Sequence, residues 1–191
     1  MSQYCYPPLS PRDDSIRLLR LKPDTDKSAD IHCELFEYSL QDCSGSHLYE
    51  ALSYVWGRSQ NKLKIFIYGC SFDVTDNLHE ALLELRNHTL ERNLWVDAIC
   101  INQVAQQEKE RQIKIMAKIY DQAARVIVWL GKAAMDSDQA LNTIRIAGSE
   151  TPFRSLDNEA IKKPILALLQ RQWFRRIWVR EQMLNKNRHD S

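Results

Sequence analysis

The chain has 191 residues, of which 44% are hydrophobic and 27% are charged, a balance typical of globular proteins rather than of disordered or fibrous ones. Its 26 Lys and Arg against 25 Asp and Glu leave a net charge of +1, which argues against a protein that coats nucleic acid. The five glycines are scattered along the chain. The GxGxxG dinucleotide turn and the GxxxxGK[ST] phosphate loop are therefore both absent.

The cysteines and histidines favour a reducing compartment and exclude the common zinc motifs. Five cysteines form no CxxC pair, and five histidines form no HExxH pair, so we expect neither a disulfide framework nor a metal site. The N-terminus has no basic patch followed by an apolar run, and no stretch of 18 uncharged apolar residues occurs. These features predict a soluble, cytoplasmic protein that does not enter the membrane.

The first forty residues predict a flexible lead-in followed by a β-hairpin. Residues 1–14 carry three prolines and two aspartates, which is typical of a loose segment. Residues 15–21 and 31–40 each alternate apolar and polar side chains, so we predict two adjacent strands. The basic residues within 15–21 favour an edge or half-exposed position for the first strand.

The middle of the chain predicts buried strands alternating with helices. Residues 51–56 and 63–68 are strand-like, and a helix is expected from Asn77 with Thr75 or Asp76 as its cap. Residues 94–101 predict a buried strand interrupted by Asp97. A helix is predicted after Gln106, with an apolar face that comprises Ile113, Met116, Ala117, Tyr120 and Ala124. A strand over residues 125–131 follows this helix. Residues 94–131 thus spell a strand–helix–strand unit, which places its two strands in parallel.

The remaining segments predict helices, so the fold class is α/β. Residues 136–146 and 158–171 are helical by pattern, and a last aromatic and basic helix runs from about 173 to 184. The polar residues 185–191 predict a tail, and the chain reads as a fragment of a longer protein. We therefore predict a single domain with a mostly parallel sheet flanked by helices and an N-terminal β-hairpin.

Three segments together resemble the fungal heterokaryon-incompatibility (HET) domain. They are YEALSYVWG at 49–57, LWVDAICINQ at 94–103 with EKERQIKIMAKIYDQAARVIVWLG at 108–131, and WFRRIWVREQ at 173–182. The three segments follow one another in the family's order, and the resemblance implies a HET domain over residues 15–184. It implies a role in programmed cell death, a form of fungal innate immunity that follows fusion of genetically different hyphae.

HET domains are in turn thought to be distant relatives of TIR domains. That relation implies a flavodoxin-like, TIR-like sheet and self-association or recruitment of partner signalling proteins. Some TIR domains hydrolyse NAD with a glutamate on a helix that carries a W-x-x-x-E pattern. NAD would therefore be a substrate here, and no cofactor is implied.

The order of two residues near the C-terminus departs from the family's W-x-x-Q-E ending. This chain has Trp178-Val-Arg-Glu181-Gln182, so Gln182 stands at the glutamate position. One residue on a helix is a rotation of about 100°. Either a displaced helix brings Glu181 to the site, or the site lacks its carboxylate and the domain signals without catalysis.

The other candidate site residues follow the predicted strands. Ser53, Trp56, Gly57 and Arg58 end the first buried strand, where open α/β sheets bind ligands, and Trp56 is suited to stack on a nicotinamide or adenine ring. Asp97 could orient ribose hydroxyls, or it could accept backbone N–H groups of the loop that follows. A tryptophan at a strand end is also commonly part of the core.

A cluster of arginines and aromatic residues near the C-terminus adds a further candidate surface. Arg176 and Trp178 belong to it, together with Arg171, Trp173, Phe174, Arg175 and Arg180. Such a cluster could bind the pyrophosphate of a dinucleotide, stack on bases or meet an acidic partner. The alternative is a solvated basic helix face with its aromatic side chains packed inward.

Overall fold

The computed structural model describes residues 2–11, 14–40, 48–57, 61–134, 137–148 and 159–175. Contacts divide the chain into two compact units, with the first ending at Trp129 and the second beginning at Leu130. Within the described part of the chain, no helix is long and apolar enough to cross a membrane.

The first unit is built on one mixed seven-stranded sheet. Its strands are β1 Ser15–Leu21, β2 His32–Ser39, β3 Glu50–Tyr54, β4 Lys62–Ile67, β5 Cys70–Thr75, β6 Arg92–Trp95 and β7 Arg125–Trp129. The order across the sheet is β5-β4-β2-β1-β6-β3-β7. Its helices are α1 Asp76–Leu85, α2 Asp97–Cys100, α3 Gln106–Lys114 and α4 Met116–Asp121. Strands and flanking helices confirm the predicted α/β class.

The N-terminal β-hairpin is confirmed, but the predicted position of its first strand is wrong. β1 pairs antiparallel with β2 from Ser15 opposite Ser39 to Leu21 opposite Cys33. β1 also pairs with β6, so it lies inside the sheet and not at an edge, and almost all of it is buried. The basic residue that suggested exposure, Arg17, is itself buried because Glu108 pairs with its guanidinium.

The strand–helix–strand prediction is confirmed in its strand directions. β6 and β7 both run parallel to β3, which lies between them. The predicted strand 94–101 is too long, however, because β6 ends at Trp95 and α2 follows. The carbonyl of Val96 accepts the N–H groups of Ile99 and Cys100, and these bonds turn the chain away from the sheet.

The start of α1 agrees with the sequence prediction, whereas the helix predicted after Gln106 does not. Of the two predicted caps of α1, Thr75 is the one that caps it, by accepting the Leu78 N–H on its hydroxyl, and Asp76 is the first residue of the helix. The helix expected after Gln106 is interrupted at Ile115. Ile113, predicted on the buried face, is largely exposed, whereas Gln112 is buried and donates to the Ser15 carbonyl.

The second unit contains helices α5 Ser137–Gly148 and α6 Glu159–Leu169, followed by a 3-10 turn Gln172–Arg175. The two helices pack against each other. Both helices were predicted from the sequence. Arg171 donates to the carbonyl of Leu130 and to the hydroxyl of Ser137, which ties the end of α6 to the start of this unit. The rest of the predicted helix 173–184 lies outside the described residues.

Candidate functional site

The carboxyl ends of three parallel strands define the candidate site. β3 ends at Tyr54, β6 at Trp95 and β7 at Trp129, and parallel strands bring these ends to the same edge of the sheet. The connection after β3 continues to Trp56 and Gly57. Open α/β sheets bind ligands outside the carboxyl ends of their strands, so this edge is where a ligand is expected.

The structure brings together two of the predicted site residues, Trp56 and Asp97. The indole Nε1 of Trp56 donates to Asp97 Oδ2 at 2.9 Å, and the Ala98 N–H donates to the other carboxylate oxygen at 2.8 Å. Asp97 is only 9% exposed, so a buried carboxylate is satisfied by two donors. Asp97 therefore holds the edge of the indole, while Trp56 remains 40% exposed.

Asn77, which the sequence analysis did not single out, joins β3 to β7 at the same edge. Its side-chain amide donates to the Val55 carbonyl at 2.6 Å and accepts the indole N–H of Trp129 at 2.9 Å. One signal was present in the sequence, since a tryptophan stands near the end of both β3 and β7. Both indole N–H groups are satisfied by side chains next to a strand end.

Gly57 allows the chain to turn immediately after Trp56. Its φ of +76° lies in the left-handed region that favours glycine. A Cβ built at this position would come no closer than 3.8 Å to Asn77 Cβ and 3.9 Å to an Asp76 carboxylate oxygen. The space would accept a side chain, so the backbone conformation is the reason for glycine here.

The other predicted site residues are placed differently. Ser53 lies inside β3, is 4% exposed and pairs in register with Val128. Five further candidates lie outside the described residues: Arg58, Arg176, Trp178, Glu181 and Gln182. The described part of the site thus contains aromatic rings, an amide and carboxylates, while the predicted cations and the catalytic candidates fall outside it.

A buried arginine anchors the short helix that begins with Asp97. The Arg17 guanidinium pairs with Glu108 at 2.5 Å and donates to the carbonyls of Pro7 at 2.6 Å and Cys100 at 3.4 Å. The hydroxyl of Tyr6 donates to the Ile99 carbonyl at 2.8 Å, and burial raises the pKa of this phenol above its usual range. Two of these bonds end on α2, at the carbonyls of Ile99 and Cys100, and they help to fix the turn that presents Asp97.

Cys100, also on α2, is an inert thiol in this setting. It is fully buried, and burial raises its pKa to about 12. The thiolate that a nucleophile requires is therefore absent near neutral pH. Within the ranges that the structure describes, no group of three His, Cys, Asp or Glu side chains could hold a metal ion.

The fold defines a domain of the α/β class, and comparison with known proteins assigns its family. The family described as "Heterokaryon incompatibility protein (HET)" matches residues 49–181. A relative from Neurospora crassa, "Heterokaryon incompatibility protein 6, OR allele", is 34% identical over 155 residues, which cover 74% of this chain. The chain belongs to the HET family.

The same alignment covers only 22% of the Neurospora protein, so this chain corresponds to a small part of that relative. No solved structure matches the chain significantly. The similarity to TIR domains is therefore still a prediction from the sequence.

Proposed function

We propose that this chain is a cell-death domain of fungal incompatibility, acting in the cytoplasm as part of an innate immune response. The matched family and the printed name of the Neurospora relative support the incompatibility role. Four cysteines of the described residues are free thiols, namely Cys5, Cys33, Cys70 and Cys100, which is the usual state in a reducing compartment.

The proposed biochemical activity is the hydrolysis of NAD at the carboxyl edge of β3, β6 and β7. The observation that carries this proposal is the hydrogen bond from Trp56 to Asp97. A partly exposed indole that is held by a hydrogen bond is a good platform for a flat heterocycle, because stacking costs little entropy when the ring is already held in place. In this account Asp97 is a positioning residue, and the nicotinamide or adenine ring contacts Trp56.

The reaction needs negative charge beside the ribose. Loss of nicotinamide leaves an oxocarbenium-like sugar, which a nearby carboxylate stabilises before water adds to it. Asp97 is only 9% exposed and lies against the donors of Trp56 and Ala98, so we give it the positioning role and infer that a second carboxylate lies beside the ribose. We assign this second carboxylate to Glu181, on the segment that follows Trp178.

The alternative is a signalling domain without catalysis, and one sequence observation favours it. Gln182 occupies the position of the family's glutamate. An amide can hydrogen-bond the ribose hydroxyls but carries no charge, so a site built on Gln182 alone would bind NAD without cleaving it. Such a domain would act by associating with itself or with partner signalling proteins.

Nicotinamide release from NAD by the purified chain distinguishes the two functions. We expect release by the wild type, loss of release in Glu181→Ala and full release in Glu110→Ala, which removes an exposed carboxylate of α3. No release by the wild type, with activity gained in Gln182→Glu, would establish the non-catalytic alternative. Release that survives Glu181→Ala would remove Glu181 from the mechanism, and no release in any form would refute hydrolysis.

A further inference from the structure

Residues 2–11 form a segment, here called the strap, that docks on β5 and then crosses to β1, α2 and α3. At β5, Ser71 donates its N–H to the Ser2 carbonyl and accepts the Tyr4 N–H, both at 3.0 Å. The ring of Tyr4 also meets the ring of Phe72 edge-on, with the two centroids 6.3 Å apart. Backbone hydrogen bonds and aromatic contacts therefore both hold the start of the strap against β5.

Further along, the strap is held by two arginines of β1 and α3. Arg17 donates to the Pro7 carbonyl at 2.6 Å, and its guanidinium lies 5.0 Å from the centre of the Tyr6 ring. Arg111 of α3 donates to the Ser10 carbonyl at 3.3 Å. Hydrogen bonds from a charged donor and a cation over an aromatic ring are stronger than neutral polar contacts. The strap is thus fixed on both sides of Tyr6.

Tyr6 connects the strap to α2, the short helix that begins with Asp97. Its hydroxyl donates to the Ile99 carbonyl at 2.8 Å. α2 has only four residues, and a helix of one turn is not stable by itself. The last carbonyls of a helix have no partner within it, and here Tyr6 and Arg17 supply donors to those of Ile99 and Cys100. The geometry of α2 therefore depends on donors that lie outside the helix.

We propose that the strap positions the candidate site: Tyr6 holds α2 in place, and α2 presents the Asp97 carboxylate that binds the Trp56 indole. Asp97 is the first residue of α2, and its carboxylate also accepts the N–H of Ala98 in the same turn. Any movement of α2 therefore moves this carboxylate relative to Trp56. Tyr6 is a positioning residue, because it acts on a ligand only through α2 and the indole.

Docking of the strap and binding of a ligand at Trp56 should favour each other, because a coupling free energy between two sites is reciprocal. A ligand stacked on the indole would stabilise the hydrogen bond to Asp97, and with it α2 and the docked strap. An interaction that pulls residues 2–11 away from the sheet would weaken the ligand. This coupling to NAD rests on the proposed function, whereas the hold of the strap on α2 does not.

Tyr6→Phe tests the proposal with little disturbance, because it removes one hydroxyl and keeps the ring beside Arg17. Tyr68→Phe is the matched control, since the hydroxyl of Tyr68 also donates to a backbone carbonyl at 2.8 Å, that of Leu35. Circular dichroism and unfolding in urea would verify that both variants are folded and equally stable.

In the absence of NAD, NMR measures how fast the indole N–H of Trp56 exchanges with solvent. The net free energy of one hydrogen bond corresponds to a factor of roughly 2 to 12, so exchange should be faster by this factor in Tyr6→Phe and unchanged in Tyr68→Phe. The indole N–H of Trp129, which is also bound by a side chain, should exchange equally in all three proteins. Unchanged exchange at Trp56 in Tyr6→Phe, or an equal acceleration at Trp129, would overturn the proposal.

Isothermal titration with NAD then tests whether the strap reaches the ligand. The affinity should fall by the same factor of roughly 2 to 12 in Tyr6→Phe and should not change in Tyr68→Phe. Faster exchange at Trp56 in Tyr6→Phe, in a wild type that binds no NAD, would support the role of the strap and refute the proposed NAD site. Equal NAD affinity of Tyr6→Phe and the wild type would overturn the coupling.

Discussion

Arg17 and Arg20 stand three residues apart on β1, and replacing each with methionine should have very different effects on stability. Arg17 is 3% exposed, pairs with Glu108 and donates to two backbone carbonyls. Arg17→Met leaves Glu108 without its partner in a buried setting, a change that costs about 3–5 kcal/mol in proteins. Arg20 is 36% exposed and pairs with carboxylates that face solvent, so Arg20→Met should cost less than about 1 kcal/mol.

Equilibrium unfolding in urea measures both free energies under the same conditions. Methionine keeps the apolar stem of either arginine, so the comparison isolates the charge and its hydrogen bonds. The predicted loss for Arg17→Met is a large share of the roughly 5–15 kcal/mol that stabilises a typical domain. Similar losses in the two variants would refute the argument that burial of the Arg17–Glu108 pair makes it critical.

Three further predictions concern single side chains. Because burial raises the pKa of Cys33 and of Cys100 to about 12, the folded state keeps thiol protons that the unfolded chain loses near its ordinary pKa of about 8.5. The free energy of unfolding should therefore fall as the pH rises from about 8.5 towards 12. Urea titrations at several pH values would measure this slope, and Cys100→Ala should make it shallower. An unchanged slope in Cys100→Ala would contradict burial of this thiol as a cause of the pH dependence. Asp97→Asn places an amide N–H group where a carboxylate oxygen accepts a hydrogen bond. We expect the free energy of unfolding to fall by about 1–3 kcal/mol and the tryptophan fluorescence emission to shift. An unaltered emission spectrum and stability would argue against the Trp56–Asp97 hydrogen bond. Arg86 donates to four backbone carbonyls of residues 26–30, so Arg86→Lys should speed amide exchange in that loop several-fold, and unchanged exchange would show that this clamp is unnecessary.

The sequence predicted those elements that depend only on residues close together in the chain, such as an alternating strand or a capped helix. The β1–β2 hairpin followed from alternation, and α1 began where Thr75 could cap it. The position of β1 inside the sheet was not predictable in this way, because Arg17 is buried only through Glu108, which is 91 residues away in the sequence. Similarly, β6 ends early since the Val96 carbonyl closes a helical turn, which an apolar run does not reveal.

The candidate site was predicted in part for the same reason. Trp56 and Asp97 could be named because each stands at the end of an apolar strand. Their hydrogen bond spans 41 residues, and that of Asn77 with Trp129 spans 52. No spacing rule connects such pairs, so Asn77 became visible only when the parallel strands placed its amide between the ends of β3 and β7.

The equilibrium binding of NAD to the wild type and to Trp56→Ala tests the proposed site most directly. Stacking of a base on an aromatic side chain contributes about 1–3 kcal/mol, so we predict saturable binding that weakens roughly 5- to 150-fold in Trp56→Ala. Leu90→Ala, which removes an exposed side chain just before the start of β6, at the opposite end of that strand from the site, should bind like the wild type. Isothermal titration calorimetry measures all three without requiring turnover. Absence of saturable binding, or equal affinity of Trp56→Ala and the wild type, would contradict a ligand site at the carboxyl ends of these strands.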